Sequence, residues 1–213
     1  MKQIYTAEPF VPETRDLEVL TAASKGCRGC PLWKNATQTV FGEGTKKAKI
    51  LLIGEQPGDQ EDERGKPFAG PAGKLLDRAL AEAGIARADV YVTNAVKHFK
   101  WVQSGARKLH AKPNRAEIVA CRPWLDAEIE AVQPEKIMCL GATAAQSLLG
   151  PDFRITKARG QVMEGTEFAP ILMATIHPAA ILRAQGSGQR EKAFHALVKD
   201  LLALKKAKAR KAA

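Results

Sequence analysis

The chain contains no apolar run near the roughly twenty residues that a membrane-spanning helix requires, and its first residues show no secretory signal pattern. We therefore expect an intracellular, cytoplasmic protein. A disulfide framework is not expected in such a chain, although it has four cysteines. The sequence also lacks internal repeats and linker-like segments. These features predict one domain over residues 1–204, followed by a basic, disordered tail over residues 205–213.

Acidic side chains are in deficit, with 23 Asp and Glu against 33 Lys and Arg, which gives a formal net charge of +10. This balance predicts a polyanionic partner. Part of the excess lies in the tail, and part lies between residues 97 and 115, where basic and aromatic side chains are interleaved. Such a stretch suits phosphate groups and unstacked bases, so Lys97, Arg107 and Lys108 are predicted nucleic-acid contacts. The alternative is an ordinary solvated loop.

The sequence contains four short apolar runs, each of which ends at small, polar or histidine residues. They occupy residues 50–53, 90–92, 137–140 and 171–174. Near-continuous apolar runs of this length are typical of strands buried on both faces of a parallel sheet. Helical patterns separate the runs, which predicts a three-layer α/β/α domain with a central four-stranded parallel twisted sheet.

Three further expectations concern the segments that connect or follow these strands. The basic stretch after the second run is predicted to be a loop. The helical pattern over residues 115–132 contains Pro123, which predicts an interruption or a fresh start. A closing helix is predicted from about residue 190 to residue 204.

Polar residues at the ends of three runs indicate where a ligand site would lie. Glu55 and Gln56 follow the first run, Asn94 follows the second, and His177 follows the fourth. Ligands of open α/β sheets bind beyond the carboxyl ends of the strands, so these side chains are expected to converge. A carboxylate, two amides and an imidazole can together donate and accept hydrogen bonds and transfer protons.

The four cysteines predict a metal site. Cys27 and Cys30 form a Cys-x2-Cys pair between glycine and proline residues, and Cys121 and Cys139 follow much later. Four thiolates suit either a tetrahedral zinc ion or a [4Fe–4S] cluster, and the ligand types alone do not separate the two. The alternative for Cys121 and Cys139 is that they are ordinary buried residues.

Several motifs, taken in chain order, resemble those of the iron–sulfur uracil-DNA glycosylases. They are Gly-Glu-Gln-Pro-Gly at 54–58, Lys-Pro-Phe-Ala-Gly-Pro-Ala-Gly at 66–73, Thr-Asn-Ala-Val-Lys-His at 93–98 and His-Pro at 177–178. The spacing of the cysteines is also similar. Gln56, the acidic run at 59–62 and the basic segment that ends at His110 resemble the UdgX type within this superfamily. The resemblance covers almost the whole chain apart from the tail.

This resemblance implies a uracil-DNA glycosylase-like fold and a reaction that flips uracil out of DNA and excises it. Its implied cofactor is a structural [4Fe–4S] cluster, in preference to zinc, held by Cys27, Cys30, Cys121 and Cys139. The implied partner is uracil-containing DNA, preferably single-stranded, and the protein is expected to be a monomer.

The resemblance also implies which residues would hold the base. Phe68 would stack on uracil, while Gln56 and Asp59 would line the pocket. Asn94 has a side-chain amide that can donate and accept at once, which matches the O4 and N3–H edge of uracil. A wrong base would leave these buried polar groups unpaired.

Three residues are implied to act on the glycosidic bond. His177 would donate a hydrogen bond to O2 of the leaving uracil anion. His110 would attack C1′ while Glu55 accepts a hydrogen bond or proton, which would leave the protein joined to the DNA. The first alternative is a conventional hydrolytic glycosylase in which His110 only contacts DNA. The second is a noncatalytic nucleic-acid-binding module with a metal clamp.

Overall fold

Seven strands and eight α-helices occur in the residues that the computed structural model describes, 5–209. The strands are β1 (Ile50–Gly54), β2 (Val90–Asn94), β3 (Trp101–Ser104), β4 (Arg107–His110), β5 (Lys136–Leu140), β6 (Met163–Glu164) and β7 (Ile171–Thr175). The helices are α1 (Leu17–Ser24), α2 (Asp59–Arg64), α3 (Pro71–Glu82), α4 (Arg115–Val132), α5 (Ala142–Leu149), α6 (Ile155–Ala158), α7 (Pro178–Leu182) and α8 (Ser187–Lys206). None of the helices in this part of the chain is long and apolar enough to cross a membrane.

The central sheet has five strands in the order β2-β1-β5-β7-β6. Four of these strands are parallel, and β6 pairs antiparallel with β7 at one edge. The predicted three-layer α/β/α fold is confirmed, but the predicted number of four strands is too small. Strand β6 has only two residues, too few to show any periodic pattern in the sequence.

Helices cover both faces of the parallel strands. Alternate strand residues such as Leu52 and Met138 pack against apolar residues of α3 and α8 on one face. The residues between them, such as Leu51 and Ile137, pack against α4 and α5 on the other face. Each leucine or isoleucine buried in this way stabilises the fold by about 1.5–3 kcal/mol. Both faces of the sheet are therefore occupied, and its carboxyl edge is left to form a site.

The basic segment after β2 is a hairpin and not the predicted loop. Strands β3 and β4 pair antiparallel in a separate two-stranded sheet, and Gly105 turns between them with a φ of +58°. Most side chains of the hairpin are exposed, so no apolar alternation marks it in the sequence.

Helix α4 runs without a break through Pro123, so the predicted interruption is wrong. A proline at this position removes the N–H group that would bond the carbonyl of Val119. Val119 is 56% exposed, so water can reach that carbonyl and the helix continues.

The predicted boundary at residue 204 falls inside a helix. Helix α8 continues through Lys206, and the Lys205 ammonium donates a 2.6 Å hydrogen bond to the carbonyl of Gly84. Residues 205 and 206 therefore belong to the folded domain. Residues 210–213 of the predicted tail lie outside the described residues.

Candidate active site

A cavity of about 810 Å³ opens at the carboxyl ends of the parallel strands. Its lining includes Glu55, Gln56, Phe68, Asn94, His110 and His177. The side chains that follow β1, β2 and β7 therefore converge, as the strand ends predict, although they are far apart in sequence.

The side chains of Asn94 and Phe68 both approach Gly54 closely, on the side where a Cβ atom would lie. Gly54 is in register with Asn94, and a Cβ atom on Gly54 would come within 2.2 Å of Asn94 Oδ1 and 2.8 Å of the Phe68 ring. Asn94 is only 3% exposed, and the hydrogen bond that Lys97 Nζ donates to it goes to its main-chain oxygen and not to its side-chain amide. Asn94 lines the cavity and its amide atoms are not sealed from it, so a planar polar ligand against the Phe68 ring can hydrogen-bond to them.

The segment that carries Phe68 is held in a strained conformation. Phe68 has a φ of +55°, which costs about 1–3 kcal/mol for a residue other than glycine. Glu61 stabilises the segment because its two carboxylate oxygens accept the N–H groups of Gly58 and Gly70, each at 2.9 Å. A Cβ atom on Gly73 would lie 1.5 Å from the Phe68 carbonyl oxygen, so this position requires glycine. The Phe68 ring is thereby fixed in the cavity wall.

His177 is positioned as a neutral hydrogen-bond donor. Its Nδ1 accepts the main-chain N–H of Ala179 at 3.1 Å, so the ring proton lies on Nε2. Burial, together with the nearby Arg183 and His110, lowers the pKa of His177 to about 4. The ring stacks on Phe68 at 6.1 Å between centroids. His177 can therefore donate to a ligand in the cavity without carrying a positive charge.

His110 ends β4 with its Nε2 atom close to two side chains of the β1 exit. Nε2 lies 3.0 Å from Gln56 Nε2 and 3.6 Å from Glu55 Oε1, and Thr143 donates a hydrogen bond to the other Glu55 oxygen. Burial lowers the pKa of His110, although Glu55 opposes this effect. Because the Gln56 amide nitrogen can only donate, this contact is a hydrogen bond in the tautomer with a lone pair on His110 Nε2, whereas the Glu55 carboxylate favours the tautomer with a proton there.

Gln56 clamps the base of the hairpin that carries His110. Its Oε1 accepts the Lys100 N–H at 3.2 Å, which fixes the orientation of the amide. Its Nε2 then faces three acceptors, namely His110 Nε2 and the carbonyls of Lys100 and Ala111, all at 3.0–3.1 Å. An amide nitrogen has only two hydrogens. His110 can therefore leave this contact while both Gln56 hydrogens keep acceptors.

Side chains of the hairpin attach it to the rest of the domain. Lys108 lies 3.6 Å from the Asp59 carboxylate and 5.3 Å from the centroid of the Trp101 ring. Lys100 forms a 2.8 Å ion pair with Glu117 of α4. Asp59 faces Lys108 of the hairpin and is not among the described residues that line the cavity, so its predicted place in the pocket wall stays a prediction.

The prediction that Lys97 contacts DNA is wrong, because the side chain is completely buried. Lys97 Nζ lies 2.5 Å from Glu128, 2.6 Å from Thr93 Oγ1 and 2.7 Å from the main-chain oxygen of Asn94. Its own main-chain N–H donates to Cys121 Sγ at 3.3 Å. Lys97 therefore supports the strand end that presents Asn94, and no sequence pattern distinguishes it from the exposed lysines nearby.

Basic residues other than the predicted ones border the cavity. Arg107 is exposed on the hairpin, as a DNA contact requires, and its role stays a prediction. Lys112, Arg159 and Arg183 line the cavity; Lys112 belongs to the basic stretch at 97–115, whereas the two arginines were not predicted. Arg183 directly follows α7, so its position after the His-Pro motif could have suggested it. Nothing in the sequence around Arg159 distinguishes it.

The structure brings three of the four cysteines together. Cys27, Cys30 and Cys121 share one buried cluster. Burial raises the pKa of Cys121 to about 12, and the nearby Cys30 and Cys27 add to this rise electrostatically. Cys139 instead packs in the core beside Ile53, and burial alone raises its pKa to about 12. The fourth predicted ligand is therefore apart from the others. Within residues 5–209, no group of three or more His, Cys, Asp and Glu side chains is arranged to hold a single metal ion.

Comparison with known proteins agrees with this geometry. The model of the uracil DNA glycosylase superfamily matches residues 41–202, so the chain belongs to that superfamily. It is 38% identical to a type-4 uracil-DNA glycosylase of Thermotoga maritima over 179 residues, which are 82% of this chain and 87% of the relative. It is also 38% identical to the type-4 uracil-DNA glycosylase of Pyrobaculum aerophilum over 79% of this chain and 85% of the relative. The corresponding protein of Sulfurisphaera tokodaii is 39% identical over 78% of this chain and 76% of the relative.

Proposed function

We propose that this protein is a uracil-DNA glycosylase that captures the abasic site through His110. The superfamily and the relatives that carry the name uracil-DNA glycosylase support the first part. The second part is supported by one observation: the His110 ring lines the same cavity as Asn94, Phe68 and His177, with its Nε2 atom 3.6 Å from the Glu55 carboxylate.

Uracil recognition depends on Asn94 and Phe68. The Asn94 amide, which lines the cavity, accepts from N3–H and donates to O4 of a flipped uracil, whereas cytosine presents the opposite pattern at these two atoms. Phe68 provides an apolar face against which the base lies. Flipping costs a few kcal/mol, and phosphate contacts from Lys112, Arg159 and Arg183 offset that cost.

Excision breaks the bond between C1′ and N1, and the electron pair leaves with uracil as an anion. His177 stabilises that anion by donating its Nε2–H to O2. A neutral imidazole is suited to this role because it remains a donor throughout the reaction. Glu55 contributes a negative charge near the positive charge that develops at C1′.

Capture forms a bond from His110 Nε2 to C1′. Nε2 attacks the sugar carbon, and the ring loses one proton, either from Nε2 to the adjacent Glu55 carboxylate as the bond forms or from Nδ1 to solvent afterwards. Gln56 keeps its two carbonyl acceptors when His110 moves, so the contact is released at little cost. Imidazole bound to C1′ is a poor leaving group, and each molecule therefore reacts once.

A conventional hydrolytic reaction is the second candidate. Its support is the 38–39% identity to type-4 uracil-DNA glycosylases. In that reaction Glu55 would orient a water molecule at C1′, and His110 would only contact the DNA backbone.

Denaturing gel electrophoresis separates the two reactions. Wild type, His110→Ser and a control His195→Ser, altered at an exposed position on α8, are mixed with an end-labelled single strand that contains one uracil. We expect a retarded band that survives boiling in SDS for wild type and His195→Ser but not for His110→Ser. Free uracil with an alkali-sensitive strand and no retarded band from wild type would support the hydrolytic enzyme instead.

The three gathered cysteines fit part of a cluster site. Cys27, Cys30 and Cys121 would hold a [4Fe–4S] cluster, which when bound would cross-link the N-terminal segment to α4. Cys121 Sγ already accepts the Lys97 N–H, a contact that suits a thiolate ligand. Cys139 does not fit this site as the chain is folded here, because it packs in the separate core beside Ile53.

A further inference from the structure

A second groove adjoins the candidate active site, between the first turns of α4 and the end of α5. Its volume is about 470 Å³. Its lining comprises Lys112, Pro113, Arg115, Ile118, Val119, Arg122, Pro123, Gln146, Ser147, Leu148, Gly150 and Pro151. Lys112 lines both this groove and the catalytic cavity, and it lies only two residues after His110. The groove and the catalytic cavity therefore lie next to each other, on either side of Lys112.

The groove combines positive charge with an apolar surface. All its charged lining residues, Lys112, Arg115 and Arg122, are basic. Arg122 is engaged in the wall, because it pairs with Asp126 at 2.6 Å and donates to the Ser147 carbonyl, which ties α4 to α5. Lys112 and Arg115 are exposed and supply the charge.

The apolar part of the groove contains an aliphatic side chain that is unusually exposed. Val119 is 56% exposed although it is a large aliphatic residue on a helix, and Ile118 and two prolines of α4 and its approach lie beside it. Aliphatic and proline side chains contact unstacked bases in nucleic-acid-binding proteins, and basic side chains contact the phosphate that follows each base. The volume falls in the range of sites that hold one small ligand and is too small for a base pair in a duplex.

We propose that this groove binds one unpaired nucleotide of the substrate strand next to the flipped uracil. The inference rests on the proposed function, because it takes the catalytic cavity to be where uracil binds. Lys112 contacts the phosphate between the two nucleotides, and Arg115 contacts the next one. The neighbouring base lies against Ile118 and Val119.

The test compares two exposed valines on helices. Val119→Asp places a carboxylate in the groove, whereas the control Val19→Asp alters α1 at a residue that is 48% exposed. Single-turnover uracil excision is measured on strands that carry none to six nucleotides on the 5′ or on the 3′ side of the uracil, so that the shortest strand has no nucleotide to place in the groove. Binding of uracil-free strands of the same lengths is measured by fluorescence anisotropy.

We expect wild type and Val19→Asp to gain at least fivefold in affinity when the strand is extended on one side. Val119→Asp should lose that gain and still process the shortest strand as wild type does. An unchanged gain in Val119→Asp, or an equal loss on every length, would overturn the groove assignment. The anisotropy series tests the groove separately from the proposed function. If the wild type excised no uracil but bound longer strands more tightly, and Val119→Asp lost this gain, the groove assignment would stand although the proposed function had failed.

Arg115→Gln provides a second test by charge. Removal of one phosphate contact on a single strand should reduce the slope of log Kd against log salt concentration by about 0.7. The control Lys46→Gln lies just before β1, at the amino edge of the sheet and away from the groove. An unchanged slope in Arg115→Gln would contradict a phosphate contact at this residue.

Discussion

Replacement of either partner of the buried Lys97–Glu128 ion pair should destabilise the protein, and by unequal amounts. Both side chains have no exposed surface, and their charged atoms are 2.5 Å apart. Removal of one partner of such a pair costs about 3–5 kcal/mol, because the other charge stays buried without compensation. Replacement of both partners by uncharged residues is often nearly neutral.

The neighbours of each partner determine which single change is worse. In Lys97→Met, the Glu128 carboxylate keeps donors from the Gly42 N–H and from the hydroxyls of Tyr91 and Thr93. Burial and the adjacent carboxylate raise the pKa of Tyr91, so its hydroxyl remains a donor. In Glu128→Gln, the ammonium keeps only neutral oxygen acceptors. We expect a loss near the upper end, about 5 kcal/mol, for Glu128→Gln and about 3 kcal/mol for Lys97→Met.

Urea unfolding, followed by tryptophan fluorescence, to which the buried Trp124 contributes, measures these values in a double-mutant cycle. The double variant Lys97→Met/Glu128→Gln should lose less than either single variant. Because the double variant still lacks the contact that holds the Asn94 carbonyl, uracil excision by it should have a reduced kcat/KM even where the fold is retained. If the losses of the single variants simply added in the double variant, the two charges would not be coupled and the reasoning would be refuted.

Three further predictions concern the reacting histidine, the cysteines and the pocket. Formation of the adduct should slow as the pH falls through the pKa of His110, which burial lowers from 6.5, because protonation occupies the attacking lone pair. Glu55→Gln removes a carboxylate that raises this pKa, so single-turnover rates should show the acid limb at lower pH, and a shift to higher pH would contradict this account. Cys121→Ser should lose bound iron, measured per protein chain, whereas Cys139→Ser should retain it because Cys139 packs in the separate core. Iron loss in both variants would indicate that all four cysteines hold the cluster. Gly54→Ala should abolish excision while the protein stays folded by circular dichroism, since its Cβ would lie 2.2 Å from Asn94 Oδ1; wild-type kcat/KM in this variant would exclude Asn94 from recognition.

The parallel core could be predicted because its signal is local. The apolar runs that form β1, β2, β5 and β7 are continuous in sequence. Both faces of these strands are buried, so nearly every residue in them is apolar and the strand is recognisable from the sequence. Strand β6 and the β3–β4 hairpin could not be predicted in this way. Strand β6 is two residues long, and the side chains of the hairpin are mostly exposed. Neither therefore shows an alternation of apolar and polar residues in the sequence.

The sequence by itself determined which chemical groups end the strands, and in a parallel sheet the carboxyl ends meet at one edge. The convergence of Glu55, Asn94 and His177 follows from that rule. Only the tertiary structure decided the contacts of residues on other segments. It buried Lys97 beside Glu128, turned Asp59 toward Lys108 and separated Cys139 from Cys121. Residue type and spacing do not encode these outcomes, because burial and pairing depend on segments that are distant in the chain.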